Sequence, residues 1–311
     1  MVSKHTKSSP QPLLKWVGGK SQLMHEIIPL FPSTMNQYHE PFLGGASVLL
    51  SLLHKVKEGK IHIQSTIYAS DSNKALIYFY KHVQNNPVRL YHKIQTFCKI
   101  YNSIQSLNCK YKTKPKSLTD ALQSKEAYYY WIREQYCNLK QLTSVSASAM
   151  FYMLNKLCFR GLYRENKQGK FNVSFGNYVK APQCSCADFE HISELIQHVQ
   201  FCYRDFHKSF KHIHKGDFIY LDPPYVPESN TSFVNYNKTG FTHDMHERLF
   251  DDILKANKTG ARFVLSNANV SMVDHFSVHN KFHTKKVCAK RAIHSKKPQM
   301  TTLEVLVYNT K

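Results

Sequence analysis

Acidic side chains are scarce in this chain. Its 21 Asp and Glu stand against 42 Lys and Arg, a formal charge of +21 before any of the 18 histidines is counted. Such an imbalance points to a polyanionic partner, nucleic acid first. Long apolar runs are missing too. No stretch approaches the roughly 20 apolar residues of a membrane-spanning helix, and Met1 to Gln11 is polar and basic, without the apolar segment of a signal peptide. A soluble, intracellular protein with no membrane partner is expected. A disulfide framework is also absent: the eight cysteines, at 98, 109, 137, 158, 184, 186, 202 and 288, are spread irregularly and are expected to be reduced. Cys184-Ser185-Cys186 with His191 and Cys202 fits no common zinc spacing, so no metal is expected. Gly19-Lys20-Ser21 lacks the first glycine of a phosphate loop, since position 14 is Leu14, which excludes an ATPase of that type. Internal repeats are absent, and low complexity is confined to the first dozen residues.

With 311 residues there is room for one α/β unit carrying an insertion. After the polar tail, an amphipathic helix is predicted over about Ser21 to Leu30. A strand over Tyr38 to Phe42 ends at Leu43-Gly44-Gly45-Ala46-Ser47 and runs into an apolar helix, Val48 to Val56. A second strand, Ser65 to Ser70, ends at Asp71-Ser72-Asn73, where Asp71 is placed either to cap the next helix or to receive the hydroxyls of a ribose. Strand, glycine turn, helix, strand and acid in that order build a nucleotide-binding half of a doubly wound sheet.

Helical periodicity takes over from about Asn73 to Leu157, broken by the basic stretch Lys110 to Lys116. Arg160 to Tyr178 reads as a projecting hairpin turning at Asn166-Lys167-Gln168-Gly169. Strands resume at Gln200 to Phe206, Phe218 to Leu221, Ala261 to Ser266 and Thr302 to Tyr308. The predicted organisation is a sheet domain over 1-72 and 181-311, with residues 1-11 a tail, and an inserted helical domain over 73-180.

Asp222-Pro223-Pro224-Tyr225 leaves the apolar strand Phe218 to Leu221. An exocyclic amine on a heterocycle is a poor nucleophile, because its lone pair is delocalised into the ring, and a site that uses it must accept its hydrogens. Asp222 supplies one acceptor and the Pro223 carbonyl another. The two prolines fix φ and remove N–H groups, so that carbonyl is held rigidly, while Tyr225 offers a flat face for a base. Gly44-Gly45 lets a cofactor approach the backbone at a helix N-terminus. Trp16 and Lys20 precede the first sheet strand, close in sequence to that floor.

Jointly these features resemble the adenine-N6 DNA methyltransferases of the Dam and DpnII type. The marks are Leu14-Lys15-Trp16-Val17-Gly18-Gly19-Lys20, Glu40 to Val48, Asp71-Ser72-Asn73, Gly161-Leu162-Tyr163-Arg164 through Phe171 to Tyr178, Asp222 to Tyr225, and Ser266-Asn267, in the family's order. The resemblance implies a Rossmann-like α/β methyltransferase sheet, an inserted helical target-recognition domain with a β-hairpin, and S-adenosylmethionine as cofactor. Trp16, Lys20, Phe42, Gly44, Gly45, Asp71 and Asp222 match its cofactor-pocket positions. Asp222, Pro223, Pro224 and Tyr225 match the catalytic motif that holds a flipped adenine. Lys15, Leu162, Arg164 and Tyr178 match DNA-contacting positions in members that read GATC, with Arg160 among the contacts, although Arg160 and Ser174 stand where such members tend to carry Asn and Pro. Double-stranded DNA is the implied partner, with no obligate protein partner. The rival readings are a cytosine-N4 or RNA methyltransferase, for which Ser-Pro-Pro-Tyr is the more usual motif, and a catalytically idle DNA-binding protein, against which Asp222 and Tyr225 argue.

Overall fold

The computed structural model describes residues 10–108, 115–226, 241–290 and 301–310. Residues 1–9 of the expected tail and 110–114 of the basic stretch lie outside the described residues. The described chain forms two compact units: Lys20–Ser72 with His198 onward, and Pro10–Gly19 with Asn73–Gln197.

The first unit is built on a seven-stranded sheet. Its strands are β2 (Tyr38–Glu40), β4 (Ile67–Asp71), β5 (Val199–Tyr203), β6 (Phe218–Leu221), β7 (Arg262–Ala268), β8 (His283–Lys290) and β9 (Thr301–Tyr308), while β1 (Thr34–Met35) and β3 (His62–Ile63) pair separately. The order across the sheet is β5-β4-β2-β6-β7-β9-β8. The first five run parallel, β9 is antiparallel to β7, and β8 is antiparallel to β9. All four residues of β6 are buried, the unbroken apolar run of a parallel strand covered on both faces. Beside it Ile219, Leu221, Phe263, Leu265, Val305 and Val307 pack with Leu249 and Ile253 of the helix His243–Thr259. The chain leaves β2 for β4 on one side and later returns to β6 on the other. The switch point therefore lies between β2 and β6, where open α/β sheets form their crevice outside the carboxyl ends of the strands.

Several elements differ from expectation. The helix predicted over Ser21 to Leu30 is a single α turn, Met24–Ile27, between 3₁₀ turns Ser21–Leu23 and Ile28–Leu30, and Pro29, which has no N–H to donate, stands in the last. Asp71 does not cap the following helix. It ends β4, and Asn73 is the cap, its side chain accepting from the Leu76 N–H at 3.0 Å. Strand β8 escapes the periodicity because only Val287 is buried in its described stretch, His283 to Cys288.

In the second unit, helices Lys74–Asn85, Pro87–Ser103, Lys125–Cys137 and Val145–Leu157 pack around buried aromatics such as Phe79, Tyr80, Tyr101, Tyr129 and Tyr152. This unit runs beyond residue 180 to Gln197, because the helix Cys186–Leu195 sits on it. Ser193 Oγ donates to the Gln84 carbonyl at 2.8 Å, and Gln84 Nε2 donates to the Ile196 carbonyl at 2.6 Å. It also takes in Pro10–Gly19, since Lys15 and Asn155 exchange two hydrogen bonds at 2.9 and 2.6 Å. The expected hairpin between Arg160 and Tyr178 has no continuous ladder, only the bridges Cys158 to Phe175 and Glu165 to Phe171. Its turn is held by Asn166, whose Oδ1 accepts from the Gln168 and Lys170 N–H groups, each at 3.0 Å, with Gly169 at φ 71°.

Gly176 closes this loop where a side chain has no room. A Cβ there would stand 2.5 Å from Tyr178 Cε2 and 2.7 Å from the Cys158 carbonyl oxygen. Gly176→Ala is therefore expected to destabilise the second unit by about 1–3 kcal/mol, the usual range for overpacking. Hydrogen exchange of the amides of residues 157–178 checks this. Unchanged protection would mean that the loop accommodates a methyl group.

Candidate active site

Parallel strands put their carboxyl ends on one edge of the sheet, so the residues that follow β2 and β6 emerge side by side. After β6 come half-buried Asp222, buried Pro223, exposed Pro224 and partly buried Tyr225. After β2 come Pro41, Phe42, Leu43, Gly44 and Gly45, and at the end of β4, which adjoins β2, stands Asp71.

Lys20 anchors the arrangement. Its side chain is 3% exposed, and its Nζ lies 2.9 Å from Asp222 Oδ2 and 4.9 Å from the centre of the Tyr225 ring. Burial raises the Asp222 carboxyl to about 6, with Lys20 pulling it down and Glu304 pushing it up. The Tyr225 hydroxyl donates to Glu304 Oε2 at 2.7 Å, and burial with the neighbouring Asp222 and Glu304 charges drives its pKa upward. Tyr225 therefore stays a neutral phenol with its ring fixed. Asn267, at the end of β7, accepts the Val226 N–H at 3.2 Å and the Ala268 N–H at 2.8 Å through Oδ1.

The Pro224 carbonyl oxygen lies 3.0 Å from His246 Nε2, and His246 Nδ1 lies 3.0 Å from the Thr242 carbonyl oxygen. A neutral imidazole has one N–H to donate and two carbonyls in reach, and burial lowers the pKa of this ring. His246 thus packs the Asp222–Tyr225 loop against the helix His243–Thr259, with one N–H to serve the Pro224 and Thr242 carbonyls.

Asp71 Oδ2 accepts the Gly44 N–H at 3.0 Å, so the acid orients the glycine turn. Gly44 has φ 49° and the following Ala46 φ 62°, left-handed conformations that make the tight entry into helix Ser47–Lys57. Phe42 stacks on Phe206 with ring centres 5.4 Å apart and meets Phe241 edge-on at 5.7 Å. Glu40, the last residue of β2, is buried, and burial raises it to about 8, with the Tyr38 hydroxyl donating to it at 2.6 Å and the charges of Asp222 and Asp71 pushing it further up.

Six of the seven expected cofactor-pocket residues, Lys20, Phe42, Gly44, Gly45, Asp71 and Asp222, belong to this unit. Trp16 belongs to the other, where its ring stacks on Tyr163 at 5.8 Å. All five expected DNA contacts are in the second unit. Lys15 donates to the Tyr178 hydroxyl at 3.0 Å, and its side chain passes beside Gly161, where an added Cβ would stand 2.6 Å from the Lys15 Cβ. Arg160 is exposed at φ 56°, its guanidinium 5.1 Å from the Phe159 ring centre, and Leu162 is half-buried. Arg164 is exposed and donates through Nε to Asn172 Oδ1 at 2.8 Å and through Nη2 to the Asn172 carbonyl at 3.3 Å.

The chain has known relatives. The family model of the D12 class N6 adenine-specific DNA methyltransferases matches residues 16–293. The chain belongs to that class. A type II methyltransferase of Methanocaldococcus jannaschii, M.MjaIII, is 33% identical over 309 residues, covering 96% of this chain and 99% of its own. A DNA adenine methylase of Vibrio cholerae serotype O1 is 30% identical over 256 residues, 82% of this chain and 80% of its own. A retron Ec67 DNA adenine methylase of Escherichia coli is 27% identical over 281 residues, 90% and 85% of the respective chains. The methyltransferase is thus a DNA adenine-modifying enzyme with a central, mostly parallel sheet. Among its described residues no helix is long and apolar enough to cross a membrane.

Sequence reasoning gave no role to Glu40, Glu304 or His246. Glu304 carried a signal, an acid inside the apolar strand run Leu303 to Val307. His246 carried none, because its partner lies 22 positions away and is a backbone carbonyl.

Proposed function

We propose that the methyltransferase transfers a methyl group from S-adenosylmethionine to N6 of an adenine flipped out of duplex DNA, in the sequence GATC. The observation that carries this reading is the Asp222 carboxylate fixed by Lys20 at 2.9 Å beside a Tyr225 ring pinned through Glu304 at 2.7 Å. A fixed acceptor next to a fixed aromatic face suits an aromatic amine. Three carboxyl groups, Glu40, Asp71 and Asp222, end or follow neighbouring strands. Of these, Asp71 and Asp222 fit a cofactor that is a sulfonium cation bearing ribose hydroxyls, while Glu40 is buried behind them. Asp71 would hold the hydroxyls, Gly44 and Gly45 would let the cofactor approach the backbone, and Phe42 would floor the pocket. The assignment of Trp16 to that pocket rests on the family resemblance.

When bound, the cofactor supplies an electrophilic methyl group. The chain's own residues do the rest. Asp222 accepts one amine hydrogen and the Pro223 carbonyl the other, which returns lone-pair density to the nitrogen, while the Tyr225 face keeps the base in line. His246 braces the following carbonyl. No strong general base is required, because the proton is acidic once the methyl has arrived. The target must leave the stack for this contact to form.

The second unit is proposed as the target-recognition domain, with Lys15, Arg160, Leu162, Arg164 and Tyr178 facing DNA. Asn172 takes the Nε hydrogen and one Nη2 hydrogen of Arg164, and among the described residues Nη1 with the second Nη2 hydrogen remains to meet guanine O6 and N7 in the major groove. Base-resolved modification mapping of DNA from a methylation-free host expressing the chain tests the whole reading. N6-methyladenine within GATC is expected, and methylation centred on another motif would remove the GATC assignment. In the same assay Arg164→Ala should relax the choice at one base pair, worth about 1–3 kcal/mol. A uniform weakening at all sequences would make Arg164 a phosphate contact instead.

Asp71→Ala is expected to weaken S-adenosylmethionine binding at least tenfold, about 1.4 kcal/mol, with DNA affinity unchanged. Calorimetry checks it. Equal cofactor affinity would leave Asp71 as the brace of the Gly44 turn alone.

A further inference from the structure

The second unit carries a cleft of about 520 Å³ lined by none of the candidate site residues. Its walls include Gln95, Cys98 and Asn102 of the helix Pro87–Ser103, Lys125, and Pro182 and Cys184 of the segment that follows Tyr178. Among the described residues no carboxylate lines it. Lys125 is 8% exposed, and among the described residues its ammonium has neither an ion pair nor a hydrogen-bond acceptor. Its nearest aromatic neighbour is the Tyr101 ring, 5.7 Å from Nζ to the ring centre. That contact is the one interaction its ammonium makes among the described residues, and the head group faces the cleft.

The helix does not need this lysine for its cap. Ser124 takes that role by accepting the Ala127 N–H at 3.0 Å, and the Lys125 and Glu126 N–H groups donate to the Ser106 and Leu107 carbonyls, each at 2.9 Å. Across the cleft, Asn102 uses Oδ1 to accept the Ala181 N–H at 2.9 Å, and its Nδ2 has no acceptor among the described residues. The cleft therefore presents a cation and an amide donor, held on two helices and opposed by no acid among the described residues.

We propose that this cleft holds a phosphoryl group, with Lys125 as its charge partner and Asn102 as a hydrogen-bond donor. A phosphoryl oxygen suits an ammonium met by an amide donor, and the cleft is large enough for the substituents such a group carries. The source is either a backbone phosphate of bound DNA, which rests on the DNA reading above, or a free phosphorylated molecule, which does not.

The full chain is titrated with orthophosphate by calorimetry, and separately with duplex DNA over a range of salt. Lys125→Met is expected to weaken orthophosphate binding at least tenfold if the ligand is free. If the phosphate belongs to DNA, the same substitution should reduce the logarithmic salt slope of DNA binding by about 0.9, one phosphate contact. Lys125→Arg, which keeps the cation, should retain the phosphoryl binding in whichever arm responds. Asn102→Asp, which keeps the acceptor for Ala181 but adds a negative charge, should abolish it, and it carries the test should Lys125→Met fail to fold. Wild-type orthophosphate affinity and wild-type salt slope in both folded Lys125→Met and Asn102→Asp would overturn the proposal. Absence of DNA binding by the wild type would strike the DNA reading and leave the orthophosphate arm intact.

Discussion

Asp222→Asn is expected to lower the rate of methyl transfer by about 10²–10³-fold, the effect of removing one preorganised polar partner of a transition state, or roughly 2.7–4 kcal/mol. Asn is the informative substitution because Lys20 is buried against this side chain. Asp222→Ala would also take the carboxylate from a buried ammonium, and breaking a buried pair from one side costs about 3–5 kcal/mol of stability. The amide oxygen of Asn still accepts from Lys20, so the variant should fold and bind DNA as the wild type does. Single-turnover rates with saturating DNA and cofactor measure the loss. A drop of less than tenfold, about 1.4 kcal/mol, would mean that Asp222 is not the amine's acceptor. The pH profile gives a second readout. With the carboxyl at about 6, the wild-type rate should fall as pH drops below that value and the carboxylate is lost, whereas the Asn variant should be flat there.

Glu40→Gln is expected to change the pH dependence of stability more than any other single substitution at the strand ends. Burial holds the Glu40 carboxyl at about 8 against an ordinary 4.5. Between those values the folded chain keeps a proton that the unfolded chain gives up. The contribution of Glu40 is therefore most favourable below pH 4.5 and declines as pH rises to about 8, at ~1.4 kcal/mol per pH unit and roughly 5 kcal/mol in all. Gln mimics the neutral acid, including an oxygen for the Tyr38 hydroxyl, and does not ionise. The variant should match the wild type at pH 5 and exceed it by several kcal/mol at pH 8 in urea-unfolding experiments. A difference that is the same at both pH values would show that Glu40 is charged in the folded protein.

By itself, the sequence determined the parts that depend on local chemistry. The apolar run Phe218 to Leu221 followed by Asp222-Pro223-Pro224-Tyr225 identified a buried strand and the carboxylate at its end, because burial on both faces and proline's missing N–H are written in neighbouring residues. Gly44-Gly45 marked the turn into helix Ser47–Lys57 for the same reason. The tertiary structure decided whatever rests on partners far apart in the chain. Asp71 looked equally suited to a helix cap, and only the placement of β4 beside β2 turned its carboxylate to the Gly44 N–H, 27 positions away. Lys20 carried no sign of its pairing with Asp222, nor Glu304 of its bond to Tyr225, since each meets its partner only through the order in which the strands assemble. The raised Glu40 carboxyl and the buried, unopposed Lys125 belong to the same class. A charge is read from the sequence, but its environment is set by which surfaces the fold removes from water.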